Sequence, residues 1–205
     1  MKQEQSPICY LRFFHALPSS LSLDCYIDEK RIAKDLLYED FTKYKLFTNQ
    51  EHQITLCRHK ETEPLLTQTL HLSSERVYTL VVYGANEECL KLVLLNEPNK
   101  PIPSEHLLAR CINLSCIEEP LKLCFQDTRP EFKKLTPGHY TSYLAFPPDT
   151  YHLNLLECVE KTPLFVEENR LFKLSRYYAL YIVGGIENYP LKVITSIEGN
   201  SLYQF

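Results

Sequence analysis

The sequence predicts an all-β chain of two tandem β-sandwiches, and three observations carry that prediction. Apolar residues recur with period two, turn signals fall every 8–15 residues, and the second half repeats the first. Period two is clearest in "LSLDCYID", where Leu21, Leu23, Cys25 and Ile27 form one face. Ser22, Asp24, Tyr26 and Asp28 then point the other way, toward solvent. "HQITLC", "TQTLHL" and "YTLVVY" behave alike and are rich in β-branched and aromatic residues. "LPSS", "TNQE", "GANEE", "TPGH" and "FPPD" mark the turns between strands. One segment departs from this pattern. "EKRIAKDLLYEDF" places Ile32, Leu36 and Leu37 on one face of a helical turn or two.

The repeat appears when the chain is slid on itself by about a hundred residues. "LRFFHALPSSLSLDCYID" falls on "ARCINLSCIEEPLKLCFQD", with Arg12 on Arg110 and Leu23 on Leu121. "FTKYKLFTNQEHQITLC" falls on "YTSYLAFPPDTYHLNLL", with Tyr44 on Tyr143 and Ile54 on Leu153. Farther on, Arg76, Tyr78, Leu80 and Gly84 meet Arg176, Tyr178, Leu180 and Gly184. Between the copies, "NEPNKPIPSEH" carries Pro98, Pro101 and Pro103 and reads as a short, semi-stiff linker. The expected domains are therefore residues 1–101 and 102–205.

Charge and cysteine usage narrow the function classes. The net charge is −4 and divides evenly: 12 Lys+Arg against 14 Asp+Glu in residues 1–100, and 10 against 12 afterwards. No basic stripe tracks a phosphate backbone, so nucleic acid is not an expected partner. The longest apolar stretches, "YTLVVYGA" and "YYALYIVGG", fall far short of a membrane helix of ~20 residues, and no membrane insertion is expected. "MKQEQSPICYLRFF" lacks the apolar core of a signal peptide, so a cytoplasmic location is expected. The eight cysteines show no zinc-finger spacing, so they read as small buried hydrophobes with a few exposed thiols, and no metal or cofactor is expected.

The aligned residues carry a family likeness. "YLRFFHALPSSLSLDCYID" resembles the "RFxHASPDAPxVDVYVDG" signature that opens the domain-of-unknown-function 4397 family. "FTKY" before a strand, Pro64 opening a central strand, and "YTLVVYG" near the end of the copy extend the likeness. "PLKVITSIEGNSLYQF" resembles the ending of leaderless two-repeat members, a branch associated with endospore-forming Gram-positive bacteria. The resemblance implies tandem immunoglobulin-like antiparallel sandwiches and no catalytic residues; it also implies a link to a spore or envelope assembly. The chain departs from the signature where the usual Ser of "HASP" is Leu17 and "DAP" is "SSL". In the second copy the His is Asn113 and the bend proline is Cys116.

The candidate site residues are His15, Asp24, Asp28, Tyr178 and Tyr181. His15 could orient an imidazole or hold a metal with the two aspartates; the structural alternative has it hydrogen-bond the backbone of the bend after the first strand. Asn113 at the same place in the second copy suits that alternative, because Asn donates and accepts but is a poor metal ligand. The remaining histidines show no HExxH or matching carboxylate spacing. Tyr178 and Tyr181 fall on opposite faces of their strand, so one should face outward as contact surface. The expected function is a non-catalytic tandem β-sandwich interaction or structural module, with a protein partner or self-assembly. The alternative is a small-molecule or glycan-binding protein using the inter-domain crevice near Pro101 and Pro103. An enzymatic reading would rest on His15, Asp24 and Cys25.

Overall fold

The computed structural model describes residues 8–97, 100–125, 128–158 and 163–203. Pro98 of the expected linker, the amino-terminal "MKQEQSP" and the closing "QF" lie outside the described residues. The chain divides into two units, Met1–Pro98 together with Tyr203–Phe205, and Asn99–Leu202. The division therefore falls three residues before the expected one, and Tyr203 rejoins the first unit.

The first unit contains β1 (Ile8–His15), β2 (Leu23–Ile27), β3 (Lys30–Leu36) and β4 (Lys45–Thr48). It continues with β5 (Gln50–Arg58), β6 (Pro64–Leu72), β7 (Val77–Tyr83) and β8 (Lys91–Asn96). Two four-stranded sheets result, in the orders β4-β1-β7-β8 and β3-β2-β5-β6. The second unit repeats the plan with β9 (Leu107–Asn113), β10 (Leu121–Phe125), β11 (Thr128–Leu135) and β12 (Leu144–Phe146). β13 (Asp149–Glu157), β14 (Pro163–Phe172), β15 (Tyr177–Val183) and β16 (Lys192–Ile197) complete it. Its sheets run β12-β9-β15-β16 and β11-β10-β13-β14. Each unit is thus a β-sandwich, as the period-two pattern requires. One pairing in each is parallel rather than antiparallel: β1 with β7 and β9 with β15. These strands are far apart in sequence, so no hairpin forces them antiparallel.

Alternation fills the cores. Leu23, Cys25 and Ile27 point inward against Leu11, Phe13, Ile54, Leu56, Leu80 and Val82. Burying each aliphatic side chain contributes about 1.5–3 kcal/mol. In the second unit Phe125 sits at the centre of an aromatic cluster, with ring centroids 4.9 Å from Phe146 and 5.5 Å from Tyr151 and Phe172. Tilted and edge-on pairs of this kind add about 0.5–1.5 kcal/mol each beyond burial.

The expected helical turns over "EKRIAKDLLYEDF" are replaced by β3. Ala33 pairs with Cys25 and Leu36 with Leu23, and Ile32 falls in a register shift opposite no β2 residue. The helical face fails because Leu37 is 53% exposed. Asp35 at φ 55° reaches a left-handed conformation that lets the strand bulge and continue.

Two repeated features lock the corners. The Tyr78 hydroxyl accepts from the Ser73 N–H at 3.3 Å, and the Tyr178 hydroxyl accepts from the Lys173 N–H at 2.8 Å. This is the tyrosine corner of immunoglobulin-like sandwiches, at the turn into β7 and β15. Gly184 has φ +81°, and a Cβ there would collide with the Pro190 carbonyl.

Candidate functional site

The His15 corner resolves into a structural bond. His15 is fully buried at the end of β1, and its Nε2 donates to the Leu21 carbonyl at 3.1 Å. Its Nδ1 meets no hydrogen-bond partner among the described residues. Burial pushes its pKa down to about 4, the Leu21 carbonyl and Asp40 opposing, so the ring is neutral. In the second unit Asn113 does the same work by a different route. Its Nδ2 donates to the Leu135 carbonyl at 2.9 Å and its Oδ1 accepts from the Ser115 N–H at 3.0 Å. Asn113 is fully buried.

Asp24 does not lie on a solvent face, as alternation suggested: it is 3% exposed. It accepts from the Asp35 N–H at 2.9 Å, meets His59 Nδ1 at 2.9 Å and pairs with Arg31 at 3.4 Å. Burial opposes its ionisation, but those three partners hold its carboxyl below the usual range. Asp28 sits in the turn after β2 with φ 48°. Its carboxylate accepts from the Gln53 N–H at 2.9 Å and meets His52 Nδ1 at 2.6 Å. Its carboxyl is likewise held low: burial opposes, and His52 and the Gln53 N–H outweigh it. The other His52 nitrogen faces the Thr48 carbonyl at 2.9 Å. The structure thus brings Asp24 to His59 and Asp28 to His52, and neither to His15.

Sequence spacing missed these two pairs, because the register that makes them is non-local. β2 and β5 run antiparallel with Leu23 opposite Arg58 and Ile27 opposite Ile54, which sets each aspartate near a histidine at the same end. Tyr178 and Tyr181 do fall on opposite faces, but both are buried, at 4% and 0% exposure, so neither offers contact surface. Cys25 is buried in the core, and burial, with Asp24 and Cys57 adding, pushes its thiol up and away from the nucleophilic thiolate. Cys89 and Cys158 are exposed, and all eight cysteines are free. Among the described residues no group of three or more His, Cys, Asp or Glu could hold a metal ion. No described helix is long and apolar enough to cross a membrane.

A buried Arg–Tyr–Glu network recurs in both units. In the first, the Arg12 guanidinium lies 4.7 Å over the Tyr44 ring, and its Nε donates to the Thr79 hydroxyl at 2.9 Å. Thr79 passes the link to Glu97 at 2.5 Å, and the Tyr44 hydroxyl donates to the same carboxylate at 2.9 Å. In the second, Arg110 Nε donates directly to Glu198 at 2.8 Å, and the Tyr143 hydroxyl donates to the other carboxylate oxygen. In the matching register Thr79 stands opposite Arg12 and adds its hydroxyl to the network, whereas Ala179 stands opposite Arg110 and has none to add. Burial works against the Arg110 cation, yet Glu198 holds its pKa above the ordinary value. The repeat alignment already paired Arg12 with Arg110 and Tyr44 with Tyr143; Glu97 and Glu198 lie just beyond it. Tyr203 joins the first network, stacked on Tyr10 at 3.9 Å and edge-on to Tyr44 at 5.5 Å.

The remaining candidate is a lateral cleft. Where β3 of one sheet faces β4 of the other, a cavity of about 620 Å³ opens, bordered by Asp28, Lys30, Ile32, Lys45, Phe47 and His52. The second unit opens at the equivalent place, between β11 and β12, with about 500 Å³ bordered by Pro130, Glu131, Lys133, Leu144 and Ala145. Both volumes lie in the range of ligand-binding clefts, roughly 300–1,000 Å³.

No curated protein matches the chain. Among solved structures, one described as α-glucan binding by a streptococcal virulence factor is 10% identical. The match covers 96% of this chain and 99% of that one, with a TM-score of 0.29. A family 26 carbohydrate-binding module from Eubacterium rectale Amy13K, in complex with maltoheptaose, is 8% identical. There 94% of this chain and 99% of that one are covered, at a TM-score of 0.28. Scores this low carry no argument about ligand. The model of the domain of unknown function DUF4397 matches residues 9–123, the first sandwich and the opening strands of the second. With more than half its length matched and the opening signature, repeat and sandwich fold in agreement, the chain belongs to the DUF4397 family.

Proposed function

We propose that the protein is a non-catalytic interaction module whose sandwiches use their lateral clefts to hold a partner polypeptide. The observation that carries this reading is the recurrence of a cleft between β3 and β4 and again between β11 and β12, with different linings. A repeated scaffold with a divergent rim suits recognition better than a shared chemistry. A structural role for the candidate polar groups is supported by their backbone bonds: His15 with Leu21, Asp24 with Asp35, and Asp28 with Gln53. The partner belongs to an assembly of the kind the family resemblance suggests, a spore or envelope layer, or is a second copy of the chain.

Site-specific photo-crosslinkers at Leu46 and at Ala145, both exposed at their clefts, test this in the organism that makes the protein. The expected result is a discrete polypeptide adduct from at least one position, identified by mass spectrometry. An uncrosslinked chain whose native mass carries a bound small molecule would replace this reading with the small-molecule or glycan-binding one.

A further inference from the structure

We propose that the β3–β4 cleft receives an extended segment of alternating acidic and apolar residues, added as a strand along the outer edge of β3. This rests on the reading that the clefts bind polypeptide. β3 is the outermost strand of its sheet and, among the described residues, pairs only with β2. Ile32 falls in the register shift and faces no β2 residue. Its carbonyl is held instead by the Lys45 ammonium, which reaches from β4 at 2.7 Å. A side chain thus occupies an edge acceptor that an incoming backbone N–H is suited to take over. Once displaced, Lys45 stands beside Lys30 at the cleft, and a carboxylate on the newcomer pairs with both. Asp28, the acid bordering the cleft, is engaged by His52 and the Gln53 N–H, and the two lysines outnumber its charge. Ile27, Ile32 and Phe47 supply an apolar floor. A strand presents alternate side chains to opposite faces, so its apolar residues meet this floor while its acidic residues meet the lysines.

The second unit sharpens the inference by contrast. Its outer strand β11 carries Pro130, which has no N–H to offer a partner strand. Its Glu131 is engaged by Lys122 at 2.8 Å and by Lys133, so these two lysines are already paired with a carboxylate, whereas Lys45 of the first cleft holds only a backbone carbonyl. Recognition of this segment is therefore a property of the first unit.

The test uses the isotope-labelled full chain and the hexapeptide acetyl-EVTVEV-amide, with acetyl-KVTVKV-amide as its charge-reversed counterpart. The acidic peptide should perturb, saturably, the backbone amides of residues 30–34 and 45–48 and leave 131–135 unmoved. Lys45→Gln and Lys30→Glu should each weaken binding at least fivefold, with the remaining amide spectrum showing that each variant is folded. The basic peptide should bind at least tenfold more weakly. Absence of perturbation at β3, equal binding of the two peptides, or equal perturbation of β11 would overturn the proposal. If the acidic peptide fails while the Leu46 crosslinker still captures a polypeptide, the strand chemistry falls and the interaction reading stands. If both fail, both fall.

Discussion

Acidification should destabilise the first unit through His15, and replacing His15 with Asn should remove that sensitivity. His15 is fully buried and neutral, with its pKa pushed down to about 4. In the unfolded chain an ordinary histidine titrates near 6.5. The folded pKa is the lower one, so the unfolded state binds the proton first as pH falls. The stability that neutral His15 contributes is present above pH 6.5 and is lost progressively as pH falls toward 4. Between pH 7 and pH 5, linkage gives a loss of about 2 kcal/mol from this residue alone. Asp24 and Asp28, held low, remain ionised over that window and contribute little to the difference. The assay is urea unfolding of wild type and His15→Asn at both pH values, with peptide-level hydrogen exchange across β1 and β7 reporting the first unit separately. At about 1–3 kcal/mol per molar urea, the wild-type midpoint should fall by roughly 1 M more than that of the variant. The variant is expected to fold, because Asn113 fills the same position in the second unit. Equal midpoint shifts in the two proteins would refute the buried, neutral His15.

Three further outcomes follow from the described contacts. Glu198→Ala should cost the second unit about 3–5 kcal/mol, because Arg110 is buried against that carboxylate; a melting curve with an unchanged lower transition would contradict it. Tyr178→Phe should cost about 1 kcal/mol by leaving the Lys173 N–H without its hydroxyl acceptor, measured as a shift in the urea midpoint of the second unit. Timed alkylation under native conditions should modify Cys89 and Cys158 first, with Cys9, Cys25, Cys57, Cys111 and Cys124 reacting only after denaturation. Rapid loss of the Cys25 thiol would show that its burial is wrong.

The fold was legible because its determinants are local or repeated. Leu23, Cys25 and Ile27 announce a strand by alternation alone, and the repeat pairs Tyr78 with Tyr178, whose hydroxyls make the same bond in both units. The misreading over residues 29–41 came from Ile32, Leu36 and Leu37, whose spacing fits a helix as well as a bulged strand. Only pairing with β2 decides between them. The site was less legible for the same reason. His52 meets Asp28, and His59 meets Asp24, across a register that no spacing rule contains. Tyr181 misled because alternation predicts which face a residue takes, and both faces of β15 are buried. The clefts depend on two edge strands from different sheets, and the relation of one sheet to another leaves no mark in a linear pattern.

The stacking of Tyr203 on Tyr10 gives the first unit an order of manufacture. Its strands end at Asn96, so the sandwich is ready to assemble while the ribosome is still far from residue 203. At 5–20 residues per second the wait is roughly 5–20 s. Through that interval Tyr10 and Tyr44 lack the Tyr203 ring, so this aromatic packing is the last part of the first unit to be made.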